Sequence, residues 1–382
     1  MGVLTKLTII IPTYNRRSYI IRNMKFWSGL EPTVIILDGS EIKIQEDLIS
    51  SLEKNIKYYH LPISLHARLK KGKELIQTEF VVLLNDDEFF FPSGLESCII
   101  EIENSDIGAC SGRSIIFDFN NGIIDVDFWR PPHTSFDGYH LSDDSSFTRL
   151  KTHMYPYLCS TINAVTKKGI FLNNIEALLV SASSGQSSDE IAYEIVSSYQ
   201  CKSKVINTLT WLRSKENPYT IEDVSLSGLK KFPLQYWIVD LFFENERNKY
   251  INNLAKILNK INPQFNLDLL AKEVRNALSL YRQSALKYLD KPAFSLYMYL
   301  VAKYSIKIPS MKYLYFPIID KILMKINHIF FKDLSKKITE IPHCESEYGS
   351  NGIKSLCLKN TVKFNYEEIK FLEGLIIDFH TK

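Results

Sequence analysis

The stretch that most constrains the fold lies at residues 80–92 and reads FVVLLNDDEFFFP. Its first five residues are apolar and predict a buried strand, which runs directly into Asn85, Asp86, Asp87 and Glu88. A solvated turn would be the plain reading, but charges placed between LLN and FFFP would be poorly solvated without a counter-ion. Ligands of open α/β sheets bind at the carboxyl ends of the strands, and carboxylates there suit a hard divalent cation. The stretch therefore predicts a site for a cation and a diphosphate.

The first eighty residues alternate strand and helix patterns. Apolar runs predict strands at 7–11, 33–37 and 56–60, and helical spacing predicts helices at 17–27 and 65–76. Strands that alternate with helices indicate a parallel sheet with right-handed crossovers. The loops that follow these strands should therefore open on the same edge as the acids.

Three of these loops carry side chains suited to a nucleoside diphosphate. The loop after the first strand is predicted to line a nucleotide pocket, and the acid after the second strand can accept hydrogen bonds from a base or a ribose. An arginine near the start of the helix at 65–76 can meet a diphosphate. Taken alone, each loop also fits a helix cap, a turn or a solvated basic face. The residues concerned are Pro12, Thr13, Tyr14, Arg16, Asp38 and Arg68.

The pattern changes after residue 97. Runs at 107–119 and 123–128, separated by Asn-Gly, predict a β-hairpin. The long polar and aromatic segment 129–146 is a candidate lid over an acceptor. A further strand is predicted at 154–165, a helix at 187–199, and a strand at 204–212 that leads to Arg213. Arg213 is either a clamp on the diphosphate or a surface residue.

A shift in composition near residue 218 predicts two domains, 1–217 and 218–382. The second is rich in long amphipathic segments and is expected to be mostly helical, with its last forty residues undecided. The segment 313–331 is expected to pack inside this domain, and contact with a membrane surface is the alternative. The same domain is a candidate for oligomer formation.

Bulk properties narrow the location and the partners. The net charge of +3 gives no reason to expect nucleic-acid binding. The six cysteines form no CxxC pair, which favours a reducing cytosol, and we expect no targeting peptide and no transmembrane helix. A cytoplasmic protein, or one that lies at the inner face of the membrane, is the expectation.

Four motifs together resemble the family 2 glycosyltransferases with the GT-A fold. They are IPTYNR at 11–16, LDGS at 37–40, HARLKKG at 66–72 and LLNDDEFFFPSGL at 83–95, in the family's order and spacing. The resemblance covers residues 5–215 and is closest to a bacterial subgroup found with surface-polysaccharide genes. It implies an α/β fold, with a Rossmann-like GT-A domain that binds a nucleotide sugar and a C-terminal, mostly helical domain.

The resemblance also implies roles for individual residues. The donor would be a nucleoside-diphosphate sugar, first of all a UDP-sugar, and the acceptor a glycan, a lipid-linked sugar or a protein. Thr13, Tyr14 and Asp38 would contact the base and ribose, and Arg68 the phosphates. Asp86 and Asp87 would contact the ribose and a Mg²⁺ or Mn²⁺ ion.

One residue departs from the family's acidic pattern. The first acid of the usual DxD motif is replaced by Asn85, which is left as a donor-binding residue. Asp87 is therefore the first candidate for the metal ligand, and Asp86 is the second.

Family members of this type invert the anomeric carbon, which requires a general base on the acceptor hydroxyl. The resemblance places that base in the segment SSDEIAYEIVSSYQCKSK at 187–204. Glu190 is favoured and Asp189 stays open, although acids are common in the first turn of any helix. His153 is a weaker candidate for a residue beside the acceptor, and a structural role is its plainer reading.

The sequence therefore predicts a metal-dependent, inverting glycosyltransferase of surface-glycan biosynthesis. A sugar nucleotidyltransferase is one alternative, but it would usually carry a glycine-rich loop after the first strand, and IPTYNRR has no glycine. A catalytically silent GT-A-like protein that binds glycans or acts as a scaffold is the other, and Asn85 is the feature that favours it.

Overall fold

One mixed sheet lies at the centre of the fold. The computed structural model describes residues 2–120, 123–128, 139–181, 188–216, 237–238, 243–289 and 362–381. Within these residues ten strands join in the order β3-β2-β1-β4-β9-β6-β10-β5, with β7 paired to β6 and β8 to β10. The strands are β1 (Leu7–Thr13), β2 (Thr33–Asp38), β3 (Ile56–His60), β4 (Phe80–Leu83), β5 (Phe89–Phe90), β6 (Ala109–Asn120), β7 (Ile123–Phe128), β8 (His140–Leu141), β9 (Val165–Lys167) and β10 (Ser203–Ser214).

Helices cover the faces of this sheet. The described helices are α1 (Arg17–Trp27), α2 (Glu46–Ser50), α3 (Leu65–Leu75), α4 (Pro92–Glu103), α5 (Ser146–Met154), α6 (Lys168–Ser181), α7 (Ser188–Gln200), α8 (Glu244–Ile261), α9 (Leu267–Leu289) and α10 (Tyr366–Thr381). Residues 1–281 and 351–382 form one compact unit, and residues 282–350 form another. The predicted domain boundary at 217/218 lies outside the described residues and stays a prediction.

The four parallel strands β1 to β4 confirm the α/β prediction and set the functional edge. Hydrogen-bonded register places Thr13 opposite Asp38, and β4 lies on the other side of β1. The first strand continues beyond its predicted end at residue 11, because Pro12 pairs with Leu37 inside the β1–β2 ladder. The carboxyl ends of β1, β2 and β4 therefore meet, and the acidic loop follows β4 directly.

Two predictions beyond the parallel strands had different outcomes. The hairpin is confirmed by β6 and β7, and its turn at 121–122 lies outside the described residues. The strand predicted at 154–165 is wrong, since α5 ends at Met154 and only Val165–Lys167 pairs in the sheet. Two backbone N–H groups of the loop between them, those of Thr161 and Ile162, donate to Glu194 of α7 instead of to a neighbouring strand.

The C-terminal residues complete the core of the N-terminal half. Val362, Ile369, Leu372 and Ile376 belong to the same buried cluster as β1, α1 and α4. Glu368 of α10 accepts hydrogen bonds from the backbone and the hydroxyl of Ser93 at 2.8 and 2.6 Å. Leu209 of β10 donates its N–H to the carbonyl of Lys363 at 2.8 Å.

A second buried cluster joins α5 and α7 to α8 and α9. These helices, together with α10, confirm a helical C-terminal half over the residues that are described there. None of the described helices is long and apolar enough to cross a membrane. The segments 129–138 and 313–331, predicted as part of a lid and as a packing or membrane-surface segment, lie outside the described residues.

Candidate active site

Asp86 is fixed at the carboxyl edge by both of its oxygens. Thr13 Oγ1 donates to Oδ2 at 2.7 Å, and Arg16 Nη1 donates to Oδ1 at 2.8 Å. Burial raises the pKa of Asp86, although the charge of Arg16 and the hydrogen bond from Thr13 oppose this. The first-strand loop and the acidic loop thus form one unit, as their predicted positions required.

Asp87 has a different environment. Its Oδ2 lies 3.2 Å from Arg16 Nη1, and its side chain is 10% exposed. Burial, followed by the negative charge of Asp86, raises the pKa of Asp87 to about 6, and Arg16 only partly opposes them. Two buried carboxylates therefore share one guanidinium, and ionisation of both leaves an excess negative charge at this edge.

Glu88 points away from this pair and toward the end of β10. Its carboxylate accepts hydrogen bonds from Asn85 Nδ2 at 2.9 Å, Trp211 Nε1 at 3.1 Å and Arg213 Nε at 3.3 Å. Burial raises its pKa to about 7, and the charge of Arg213 opposes this. Asn85 and Arg213, predicted as donor-binding residues, are both engaged with Glu88, which joins the acidic loop to the late strand.

Helix α1 holds the backbone of the acidic loop through two residues that the sequence did not single out. Asn23 Nδ2 donates to the carbonyls of Asp86 and Glu88 at 2.7 and 3.2 Å. Arg22 Nη2 donates to the carbonyl of Asp87 at 3.0 Å. Both side chains are buried. The available signal was a pair of polar residues on the apolar face of an amphipathic helix.

Arg22 is itself held by a distant carboxylate. Its two terminal nitrogens donate to Glu216 at 3.1 and 2.8 Å, and the two side chains are 1% and 2% exposed. The Phe379 ring of α10 lies 4.4 Å from the guanidinium carbon, and His380 of the same helix contacts Glu216. The arginine that binds the backbone of the acidic loop is thus itself held in place by Glu216 and by α10.

The second strand end brings together three of the predicted donor-site residues. Asp38 accepts hydrogen bonds from Tyr58 Oη at 2.5 Å and from the Ser40 backbone at 2.8 Å, so both of its oxygens help to order the loop. Arg68 is fully buried, with its guanidinium carbon 5.9 Å from the centre of the Tyr14 ring. A Cβ added to Gly39 would lie 1.1 Å from Arg68 Nη1, so any other residue here would displace the guanidinium from this position.

An open cleft of about 530 Å³ lies beside this edge. Asn15 and Arg16, at the start of α1, are among its lining residues. Asn15 adopts a positive φ of 54° and donates its N–H to Ser40 Oγ at 2.9 Å. The left-handed backbone at Asn15 turns the chain from β1 into α1, so the last two residues of the predicted nucleotide loop line the cleft together with the first turns of α1.

The two candidates for the general base lie in the first turn of α7. Tyr157 Oη donates to Glu190 Oε1 at 2.7 Å, and Asp189 Oδ2 lies 3.4 Å from His66 Nε2. Because His66 belongs to α3, the second contact joins the start of α7 to the helix that carries Arg68. Neither candidate is excluded by its contacts.

His153 is not at an accessible surface. It is fully buried, with Nε2 2.6 Å from Glu194 Oε2 and Nδ1 2.6 Å from Tyr139 Oη. Burial raises the pKa of Glu194, but the hydrogen bond and the charge of His153 outweigh it and the pKa is lowered. This geometry supports the structural reading of His153.

The acidic pair is suited to a divalent cation whose remaining ligands are phosphate oxygens and waters, rather than to one held by protein side chains alone. Over the part of the chain that the structure describes, no group of three or more His, Cys, Asp or Glu side chains is arranged to hold a metal. Mg²⁺ needs only one or two carboxylates when phosphate oxygens and waters complete its shell. Asp87 meets that need, and Asp86 can contribute if it exchanges one of its two hydrogen bonds.

One family model matches part of this sequence. Residues 8–153 match the family model described as glycosyl transferase family 2. No protein of curated function matches the sequence significantly. The matched residues contain the loops after β1, β2 and β4 and the start of α3, and so every predicted donor-site residue except Arg213.

Solved structures similar to this chain include three of residues 1–349 of S. aureus TarS. The fragment alone has 12% identity and a TM-score of 0.40, over 75% of this chain and 91% of that one. Its complexes with UDP-GlcNAc and with UDP have identities of 14% and 13% and TM-scores of 0.39 and 0.40, with the same coverage. A longer TarS structure is matched over 55% of its own length.

The sequence motifs, the sheet order and the family match describe one domain. The match spans β1 to β4 and the acidic loop, in which the buried acids meet the basic side chains of the neighbouring loops. Residues 8–153 are thus similar to glycosyl transferase family 2, and this stretch contains the acidic edge of the sheet.

Proposed function

We propose that this protein is a metal-dependent, inverting glycosyltransferase that moves a sugar from a UDP-sugar to a glycan, lipid-linked or protein acceptor. The observation that carries the proposal is the buried pair Asp86 and Asp87, which share the single guanidinium of Arg16 at 2.8 and 3.2 Å. An edge with an excess of buried negative charge calls for a further cation, and a diphosphate would bring phosphate ligands to it. Bacterial surface-glycan biosynthesis at the cytoplasmic face of the membrane is the setting that we propose.

The residues at this edge divide the work of donor binding. Tyr14 and Asp38 belong to the loops that would enclose the base and ribose, and Arg68 would meet the phosphates. Arg16 keeps the two acids in place through its hydrogen bond and ion pairs. Mg²⁺ or Mn²⁺ held by Asp87, with Asp86 as the second ligand, would offset the charge that grows on the departing diphosphate.

Proton transfer falls to a different carboxylate. Glu190 would accept the proton of the acceptor hydroxyl, so that the hydroxyl attacks the anomeric carbon as the diphosphate leaves and the configuration inverts. Asp189, 3.4 Å from His66, is the second candidate. With the base on α7 and the diphosphate at the ends of β1, β2 and β4, the two halves of the reaction would lie on separate elements of one unit.

The first experiment measures nucleotide binding and donor turnover. Calorimetry with UDP and GDP, with Mn²⁺ or with EDTA, should show binding that needs the metal, and a panel of UDP- and GDP-sugars should show release of the nucleotide. Asp87→Ala should lower turnover about 100-fold or more. The matched control Asp106→Ala removes an acid whose side chain is 70% exposed and should leave turnover unchanged.

The same experiment decides against the proposal if turnover in EDTA or in Asp87→Ala equals that of the unaltered enzyme. Failure to bind any nucleoside diphosphate would favour a silent scaffold protein instead. When pyrophosphate is added to the donor, formation of a nucleoside triphosphate together with a sugar 1-phosphate would favour a nucleotidyltransferase. The anomeric configuration of the product, read by NMR, tests inversion, and Glu190→Gln compared with Asp189→Asn identifies the base.

A further inference from the structure

Glu190 is the first of two acids that lie one turn apart on α7. The second, Glu194, is fully buried and its position is fixed by its partners. Residues four apart on a helix project from the same face. A segment that Glu194 binds on this face of α7 therefore also lies close to Glu190.

Glu194 fastens the loop that connects α5 to β9. Its Oε1 accepts the backbone N–H groups of Thr161 and Ile162 at 2.8 and 2.9 Å, and the thiol of Cys159 lies 3.6 Å from the same oxygen. Its Oε2 lies 2.6 Å from Nε2 of the buried His153. A carboxylate with two backbone donors and a histidine partner has little freedom, so the loop is held at one distance from α7.

Tyr157 lies in this loop, between two aromatic neighbours. Its ring meets the edge of Tyr281 of α9 with centroids 4.8 Å apart, and that of His153 at 6.0 Å. Its hydroxyl donates to Glu190 Oε1 at 2.7 Å. Burial raises the pKa of Tyr157 well above its ordinary value, so the phenol stays protonated and remains a donor at neutral pH.

We propose that Tyr157 is the positioning residue for the general base: its hydroxyl holds the Glu190 carboxylate in the orientation that receives the acceptor proton. The inference rests on the proposed function, because it assigns the base to Glu190. A glutamate has three side-chain torsions, and a donor fixed by the loop and by two rings selects among them. Without that donor, the carboxylate would spend less time in line with the acceptor hydroxyl.

Two effects are expected of Tyr157→Phe, which removes only the hydroxyl. The value of kcat should fall about 10- to 100-fold while KM for the donor stays within about twofold, because the donor site is elsewhere. The acid limb of the kcat profile should move up by about half to one pH unit, because the lost hydrogen bond favoured the charged carboxylate.

Other titratable groups around Glu190 remain in this variant. They are Asp189 and Glu194 of α7, His153 of α5, Cys159 of the loop, Tyr281 of α9 and His66 of α3. The difference between its kcat profile and that of the unaltered enzyme therefore reports the loss of the Tyr157 hydroxyl.

Tyr250→Phe is the matched control. Tyr250 of α8 donates its hydroxyl to the backbone carbonyl of Ser188 at 2.9 Å. The substitution therefore removes one buried phenolic hydroxyl that contacts the same turn of α7. Hydrolysis of whichever UDP-sugar the donor screen shows to be turned over, with water as the acceptor, supplies kcat, KM and the pH profile. Tyr250→Phe should keep the wild-type pH profile.

The possible outcomes separate the two proposals. A fall in kcat with a shifted acid limb in Tyr157→Phe, absent from Tyr250→Phe, supports the inference. A wild-type kcat and profile in Tyr157→Phe, or the same shift in both variants, overturns it while an inactive Glu190→Gln still supports the proposed base. No turnover of any sugar donor overturns the proposed function and this inference with it, whereas full activity in Glu190→Gln overturns this inference and leaves Asp189 as the proposed base.

Discussion

The buried pair Arg22 and Glu216 offers the sharpest test of how the acidic loop is supported. Glu216→Gln keeps the shape of the side chain but leaves the Arg22 guanidinium, 1% exposed, without its counter-charge. Arg22→Met removes the cation and leaves the carboxylate buried instead. Arg22→Met combined with Glu216→Gln removes both charges and completes the set.

The magnitude follows from the exposure of the pair. Removal of one partner from a buried, hydrogen-bonded ion pair costs about 3–5 kcal/mol, so each single variant should lose that much unfolding free energy. If the two sites were independent, the double variant would lose about 6–10 kcal/mol. Because both substitutions break one interaction, we expect the double variant to lose no more than about 3–5 kcal/mol.

Urea unfolding of the full chain measures these differences. Trp27 is fully buried within the first core cluster, next to Asn23, and its fluorescence should follow the loss of this region. The three variants and the unaltered protein together form a double-mutant cycle. Glu46→Gln is the control, since the Lys43–Glu46 pair is exposed and should contribute less than about 0.5 kcal/mol.

The coupling is refuted if the double variant loses the sum of the two single losses of unfolding free energy, to within about 0.5 kcal/mol. It is also refuted if a single variant loses less than about 1 kcal/mol. The pH dependence gives a second check. Burial alone would raise the pKa of Glu216, but the hydrogen bonds and charge of Arg22 lower it below its ordinary value of 4.5. Its stabilisation is therefore complete above pH 4.5 and is lost as the pH falls through the lower, folded-state pKa.

Three further outcomes are expected. Because the pKa of Asp87 is raised to about 6, calorimetry should show the Mn²⁺-dependent affinity for UDP falling as the pH drops below that value. Asn85→Asp restores the family's acidic pattern, yet it should weaken Mn²⁺–UDP binding and cost about 1–3 kcal/mol in urea unfolding, because Glu88 loses a donor and gains a neighbouring charge. Gly39→Ala should reduce UDP affinity as strongly as Arg68→Ala, since its Cβ would occupy the space of the guanidinium.

Each of these has its control or its contrary result. Gly169→Ala adds a Cβ with no atom within 4 Å and should bind UDP normally. Tighter metal–nucleotide binding in Asn85→Asp would show that Glu88 does not depend on the amide. An affinity for UDP with Mn²⁺ that is constant from pH 8 to pH 5 would remove Asp87 from the metal site.

Local patterns were sufficient for the parallel half of the fold. The helix expected at 17–27 has those bounds, and the strand expected at 56–60 does too, because each pattern is strong and bounded by turn residues. The topology of alternating strands and helices then placed Thr13, Arg16 and Asp86 at one edge without any knowledge of their contacts.

The features of the fold and the site that local patterns did not predict depend on contacts between residues far apart in sequence. Glu216 pairs with Arg22 across 194 positions, and no local pattern records such a partner. The apolar run after Met154 resembles a strand, but its backbone donors go to Glu194, so it is a loop. The role of Asp38 toward a base or a ribose stays a prediction, and its hydrogen bonds from Tyr58 and the Ser40 backbone were not foreseen.

The place of α10 in the first core cluster has a consequence for synthesis. Ile369, Leu372 and Ile376 complete a core that includes residues of β1, α1 and α4, near the beginning of the chain. While the ribosome is still translating the middle of the chain, that apolar surface has no cover. We therefore expect the catalytic half to mature only after residues 362–381 have emerged, and fragments that stop near residue 217 to need a chaperone or to aggregate.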